Sequence, residues 1–148
     1  MIDYQKKASE LYLQGYNCSQ SVFGAFIDLM ELDLPTSLKI ASSFGGGMGQ
    51  LKEVCGALTG AFMALGILYG YNDPQNKIKK QEHYDRIRRI GEQFKEHKRS
   101  YLCRDLLEYN KENPSTTIDG EPIKQCDHLV RYAAFLVQEE LNQHPYTL

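Results

Sequence analysis

The sequence predicts an all-α protein, a single-domain bundle of about five or six helices over residues 1–148. Three observations carry this. Apolar residues recur at helical spacing along most of the chain. Gly, Pro and Asn punctuate it where helices would begin and end. No stretch sustains the period-two alternation of a strand, and neither an internal repeat nor a low-complexity tract is present. With 148 residues, 42% hydrophobic and 24% charged, the chain suits one soluble globular core rather than disorder.

The first helix is expected over residues 3–14, with Tyr4, Ala8, Leu11 and Tyr12 on one face and Gly15 ending it. Asn17 is placed as N-cap of a second helix that runs to Met30 and turns Val22, Phe23, Phe26, Ile27 and Met30 inward. After the connector Glu31-Leu32-Asp33-Leu34, Pro35 begins a short third helix over residues 36–44, with Leu38, Ile40 and Ala41 as its apolar residues. Gly45-Gly46-Gly47-Met48-Gly49 then breaks helical structure.

Residues 54–69 carry no charge and read as the central buried helix. A membrane span needs about 20 apolar residues; this run is shorter and contains Gly56, Thr59, Gly60 and Gly66. Gly70 ends it, and Asn72-Asp73-Pro74 begins the next helix, the long one over residues 75–99, with Tyr84, Ile87, Gly91 and Phe94 as its apolar stripe. A short helix follows Cys103. Residues 110–125 are the least regular, with Asn113-Pro114, Asp119-Gly120 and Glu121-Pro122 as turn signals. The last helix, residues 128–141, turns Leu129, Val130, Ala133, Ala134, Val137 and Leu141 to one face.

Charge is unevenly spread. Residues 77–99 hold nine Lys and Arg against four Asp and Glu, a local net of +5, and the remainder of the chain is −7. Such a helix is ordinarily a solvated face laced by pairs four apart, here Glu82–Arg86 and Asp85–Arg89. The same surface could dock an acidic redox partner. Without interleaved exposed aromatics or a DNA-binding motif, nucleic acid is not expected.

The four cysteines are the sharpest signal. Each stands where a helix is expected to open: Cys18 after Gly15-Tyr16-Asn17, Cys55 after the glycine cluster, Cys103 after Ser100, Cys126 after the turn-rich stretch. A helix N-terminus carries unpaired N–H groups and positive partial charge, a setting that favours thiolate. The N-terminus lacks the apolar core of a signal peptide, so the chain reads as cytoplasmic, where thiols stay reduced and serve catalysis or metals more often than structural disulfides. The plain alternative is four small buried hydrophobes.

The segments around these cysteines resemble a family of small redox-active proteins named for its four cysteines, the C_GCAxxG_C_C family. Cys55-Gly56-Ala57-Leu58-Thr59-Gly60 is similar to its central motif, Gly15-Tyr16-Asn17-Cys18-Ser19-Gln20 to its first cysteine segment, and Phe44-Gly45-Gly46-Gly47-Met48-Gly49 to its glycine loop. The resemblance implies that Cys18, Cys55, Cys103 and Cys126 are the functional set; it implies no particular reaction. The module is also similar to part of the split-Soret cytochromes c, which carry an iron–sulfur centre. Their haem motif Cys-x-x-Cys-His is absent here, so covalent haem is not expected.

Two chemistries stay open at this point, thiol–disulfide or electron-transfer chemistry, and ligation of zinc or an iron–sulfur cluster by the same four sulfurs. For a dithiol the sequence favours Cys18 with Cys55, both opening helices flanked by glycine. Gly45, Gly46 and Gly47 could supply N–H donors as a nest, and Gly56 and Gly60, four apart, let a backbone or a cofactor come close. His128, two residues after Cys126, could tune a thiolate or ligate; His83 and His97 are expected to face water, and His144 lies near the terminus. A homodimer is conceivable because the small-residue face of the fourth helix and the stripe of the fifth need covering. No Ser-His-Asp pattern, phosphate loop or His-Glu-x-x-His occurs, and residues 45–49 follow no strand, so hydrolase, kinase and nicotinamide-dehydrogenase readings lack support.

Overall fold

In the computed structural model, residues 2–114 and 124–145 are described. Among them the chain forms seven α-helices of eight or more residues and no strand, one helix more than the upper expectation. They are α1 (Tyr4–Leu13), α2 (Cys18–Ala25), α3 (Leu34–Ser42), α4 (Gly56–Tyr69), α5 (Lys77–Lys98), α6 (Cys103–Glu112) and α7 (Asp127–Gln143). The turn signals at Asp119-Gly120 and Glu121-Pro122 lie outside the described residues.

Local chemistry sets most helix ends. Asp3 caps α1 by accepting from the Lys6 N–H at 3.1 Å. Asn17 and Gln20 form a reciprocal capping box on α2, with bonds of 2.9 and 3.0 Å. Asp33 caps α3 through the Thr36 N–H at 2.9 Å, which starts that helix two residues earlier than Pro35 alone suggests. Asn76 accepts from the Lys79 N–H and so begins α5 after the Asn72-Asp73-Pro74 turn rather than at it.

The second helix is shorter than expected. It stops at Ala25 and gives way to a 3-10 turn, Ile27–Leu29. The Phe26 ring stacks on Tyr4 with centroids 4.5 Å apart, and Asp28 turns back to accept from the Tyr4 hydroxyl at 2.9 Å. Those contacts from α1 override the helical spacing that extends to Met30.

α4 is the central element, packed on α2 and α7, with every residue from Gly56 to Ala61 buried. A β-carbon on Gly60 would stand 2.7 Å from the Ser19 carbonyl oxygen, so glycine here admits the α2 backbone. On α5 the stripe is shifted: Ile90, Gly91 and Phe94 are buried, while Tyr84 is 49% exposed. Ile40 of α3 is likewise exposed. The expected i,i+4 ion pairs of α5 do not form. Arg86 and Arg89 instead reach across to Glu140 of α7, at 2.8 and 2.7 Å, and that carboxylate is 2% accessible. No helix among the described residues is long and apolar enough to cross a membrane.

Candidate thiol site

All four cysteines stand at helix starts: Cys18 and Cys103 are the first residues of α2 and α6, while Cys55 and Cys126 are the N-caps of α4 and α7. Those starts converge. Cys18, Cys55, Cys103 and Cys126 line one cavity of about 230 Å³, together with Tyr12, Gly46, Gly47, Lys52, Gly56, Leu106, Leu107, Gln125 and Leu129.

Three sets of contacts produce the convergence. The segment before α4 pairs with the segment before α6: Val54 bridges Leu102, and the Cys55 N–H donates to the Tyr101 carbonyl at 2.8 Å. The start of α7 is fixed on α1, where Ser9 Oγ donates to Asp127 Oδ1 at 2.6 Å and the Cys126 N–H reaches the Tyr12 hydroxyl at 3.3 Å. Asn110 of α6 donates to the Gln125 carbonyl at 3.1 Å and holds the other side of that turn. Cys18 is placed by the Asn17 cap, whose amide also donates to the Ser42 carbonyl.

The four thiols are not alike. Cys18 and Cys126 interact as a pair, which the sequence does not suggest, since spacing and glycines favour Cys18 with Cys55. That interaction lowers Cys126 to about 7; burial opposes it, and the Tyr12 hydroxyl, Lys52 and Lys124 assist. The same interaction holds Cys18 well above the usual thiol range, reinforced by burial. Burial pushes Cys55 up to about 12 although the Leu58 and Ala57 N–H groups favour its thiolate. Cys103 is raised by burial, partly offset by Lys52. The position at a helix start therefore yields a thiolate at one cysteine of four. Desolvation outweighs it at Cys55 and Cys103, the interaction with Cys126 outweighs it first at Cys18, and the interaction with Cys18 decides the exception.

The glycine loop takes an unusual form. Gly46, Gly47, Met48, Gly49 and Gln50 are successive residues with φ of 67, 70, 69, 57 and 68°, a left-handed turn, and Lys52 follows at 62°. Left-handed backbone costs a non-glycine residue roughly 1–2 kcal/mol, so Met48, Gln50 and Lys52 each carry strain. Bonds from the Lys52 N–H to Gly46 O (3.1 Å) and from the Glu53 N–H to Gly47 O (3.0 Å) hold the turn closed. Gly47 is required twice over: its φ is positive, and a β-carbon would lie 2.6 Å from that of Cys103. The turn thus brings Gly46, Gly47 and Lys52 to the cavity wall.

The family described as "Putative redox-active protein (C_GCAxxG_C_C)" matches residues 16–140. The chain belongs to that family. No curated protein and no solved structure matches it. Where the C_GCAxxG_C_C name writes Gly-Cys-Ala, this chain has Cys55-Gly56-Ala57. A β-carbon on Gly56 would meet the Phe44 carbonyl oxygen at 2.8 Å and lie 3.4 Å from the Cys18 β-carbon, so the residue after Cys55 must be small for the two thiol segments to meet.

Of the glycines named from sequence, Gly46, Gly47 and Gly56 line the cavity of this C_GCAxxG_C_C protein. Gly45 is taken up by the Asn17 side chain and Gly60 by α2. His128 lies apart from the sulfurs: its Nε2 bonds Asn110 Oδ1 at 2.8 Å and its Nδ1 meets Lys98 Nζ at 3.1 Å, so it ties α5, α6 and α7 together. His97 stacks on Tyr132, centroids 4.2 Å apart. Tyr12, Lys52 and Lys124 were invisible to sequence reasoning as site residues; Tyr12 read as core, and both lysines sit in connectors.

Zinc or an iron–sulfur cluster needs several ligands to close on one point. Among the described residues, no group of three or more His, Cys, Asp or Glu side chains converges closely enough to hold a metal ion. The four sulfurs nevertheless line one cavity.

Proposed function

We propose that the chain carries out thiol–disulfide exchange, with Cys126 as the attacking thiolate and Cys18 as the resolving thiol. The observation that carries this reading is that Cys18 and Cys126 line one cavity and interact there, the first raised and the second lowered by the other. An attacking thiol works best with a pKa near ambient pH, and Cys126 at about 7 meets that condition.

The Cys126 thiolate attacks one sulfur of a disulfide, forming a mixed disulfide and expelling the first thiolate. Cys18 then attacks the Cys126 sulfur, and its proton passes to the second departing thiolate. Two electrons move from the dithiol to the disulfide, leaving a Cys18–Cys126 bond. The remaining proton needed by the first thiolate comes from water. Tyr12 donates to Cys126 and favours its thiolate before attack. Cys55 and Cys103, both held protonated, complete the wall without competing as nucleophiles.

Thiol counting tests the reading. The reduced protein should titrate four thiols and the protein treated with diamide two, with peptide mapping placing the bond between Cys18 and Cys126. Four thiols surviving the oxidant, or a bond joining another pair, would overturn it.

A further inference from the structure

We infer that the cavity selects small disulfides bearing carboxylates, with Lys52 and Lys124 as the groups that attract them. The inference rests on the exchange reading above and adds the class of substrate. Two observations carry it, the size of the cavity and the sign of its charge.

The reactive sulfurs line a partly open recess of about 230 Å³. Pockets for drug-sized ligands begin at about 300 Å³. A disulfide with short substituents fits such a recess, while one embedded in a folded protein's surface fits it poorly. The wall is otherwise apolar, from Leu106, Leu107 and Leu129, or neutral and polar, from Tyr12 and Gln125. Its charged lining residue among those described is Lys52. Lys124 lies against Tyr12: its Nζ donates to the Tyr12 carbonyl at 2.9 Å and lies 4.3 Å from the centre of the Tyr12 ring, the ring whose hydroxyl meets Cys126. Glu53, next to Lys52 in the chain, is paired with Arg104 at 3.3 Å.

A carboxylate on the incoming disulfide would therefore meet cations close to the sulfur that attacks it. Walls of low dielectric concentrate that field, and steering of this kind raises association rates by about 10-fold to 1,000-fold. The strained left-handed turn has a purpose in this arrangement, since it carries Lys52 to the cavity rim.

The test uses the reduced full-length protein and three disulfides of similar size: dithiodiacetate, anionic; bis(2-hydroxyethyl) disulfide, neutral; and cystamine, cationic. Each rate of Cys18–Cys126 formation is divided by the rate of the same disulfide with a free small thiol, which removes intrinsic reactivity. The normalised rate should be at least about 10-fold higher for the anion than for the cation at low salt. In the double variant Lys52→Gln, Lys124→Gln that ratio should fall towards one. Losing the lysines also raises Cys126, but this slows all three reagents alike and leaves the ratio untouched. Equal normalised rates, a faster cation, or a ratio unchanged in the double variant would overturn the inference while exchange chemistry stands. Four free thiols after diamide as well as all three reagents would remove the exchange reading and this inference with it.

Discussion

Cys126 differs from the other three cysteines in what its sulfur receives. All four stand at helix starts, and Cys18 and Cys126 are both half-buried, so neither the helix position nor burial separates those two. Cys18 supplies the difference: its interaction with Cys126 is the largest effect that lowers the Cys126 thiol. Alkylation of Cys126 by iodoacetamide, followed by mass spectrometry, should rise with pH about a midpoint near 7. Below that midpoint the sulfur is protonated and unreactive; above it the thiolate reacts. In Cys18→Ala that interaction is gone while burial still opposes the charge, so the rise should move to higher pH by about one unit or more. Tyr12→Phe removes a lesser interaction and should move it less. A midpoint unmoved in Cys18→Ala would show that the interaction with Cys18 is not what sets Cys126 apart. None of this was legible in the sequence, where the helix-start argument treats the four residues alike. The residue that breaks the symmetry lies 108 positions away along the chain.

Helix boundaries set by short-range chemistry were legible, and those set by distant contacts were not. Asn17, Gly15 and Gly70 mark their helix ends in the sequence because a cap and its partner lie within a few residues. The end of α2 at Ala25 was missed because a ring from α1 decides it. The ion pairs of α5 were missed for the same reason: Glu140 is more than fifty positions from Arg86 and Arg89. Burial pushes that carboxyl up, and its bonds and charges with Arg89 and Arg86 more than reverse the effect, leaving it below the usual carboxylate range. Within α4 the glycines are equivalent on paper but not in the fold. A β-carbon on Gly60 meets a backbone oxygen at 2.7 Å, whereas one on Gly66 meets nothing within 4 Å. Gly60→Ala should therefore destabilise the protein by about 1–3 kcal/mol, the usual cost of overpacking. Gly66→Ala should stabilise it by about 0.5–1 kcal/mol, since glycine lowers helix propensity where nothing requires it. Urea denaturation of the two variants reads both signs. If Gly60→Ala is as stable as the parent, the close approach of α2 to α4 is not as drawn.

At the scale of the whole molecule, the site is where the two ends of the chain meet. α2 supplies Cys18 from the first fifth of the sequence and α7 supplies Cys126 from the last, with α4 between them. That each cysteine opens a helix was readable locally; that the four openings face one cavity depends on the Val54–Leu102 bridge and the Ser9–Asp127 bond, neither of which leaves a mark in local sequence. The same topology makes oxidation a mechanical event. A Cys18–Cys126 bond would close a loop of about 100 residues, which in the chain-entropy picture restricts the unfolded state by about 4.7 kcal/mol. Cys55 and Cys103 enclose about half as long a segment, and their loop would give slightly less, since the dependence on length is logarithmic. The double variant Cys55→Ser, Cys103→Ser isolates the first bond. Oxidised, it should unfold at higher urea than the same variant reduced, by up to about 4–5 kcal/mol less any strain in the folded state. The difference should vanish on adding a reductant. An oxidised double variant that is no more stable than its reduced form, or less stable, would mean that the bond forms only by pulling α2 and α7 out of place. The cavity would then be a packing feature, and the exchange reading would lose the geometry on which it stands.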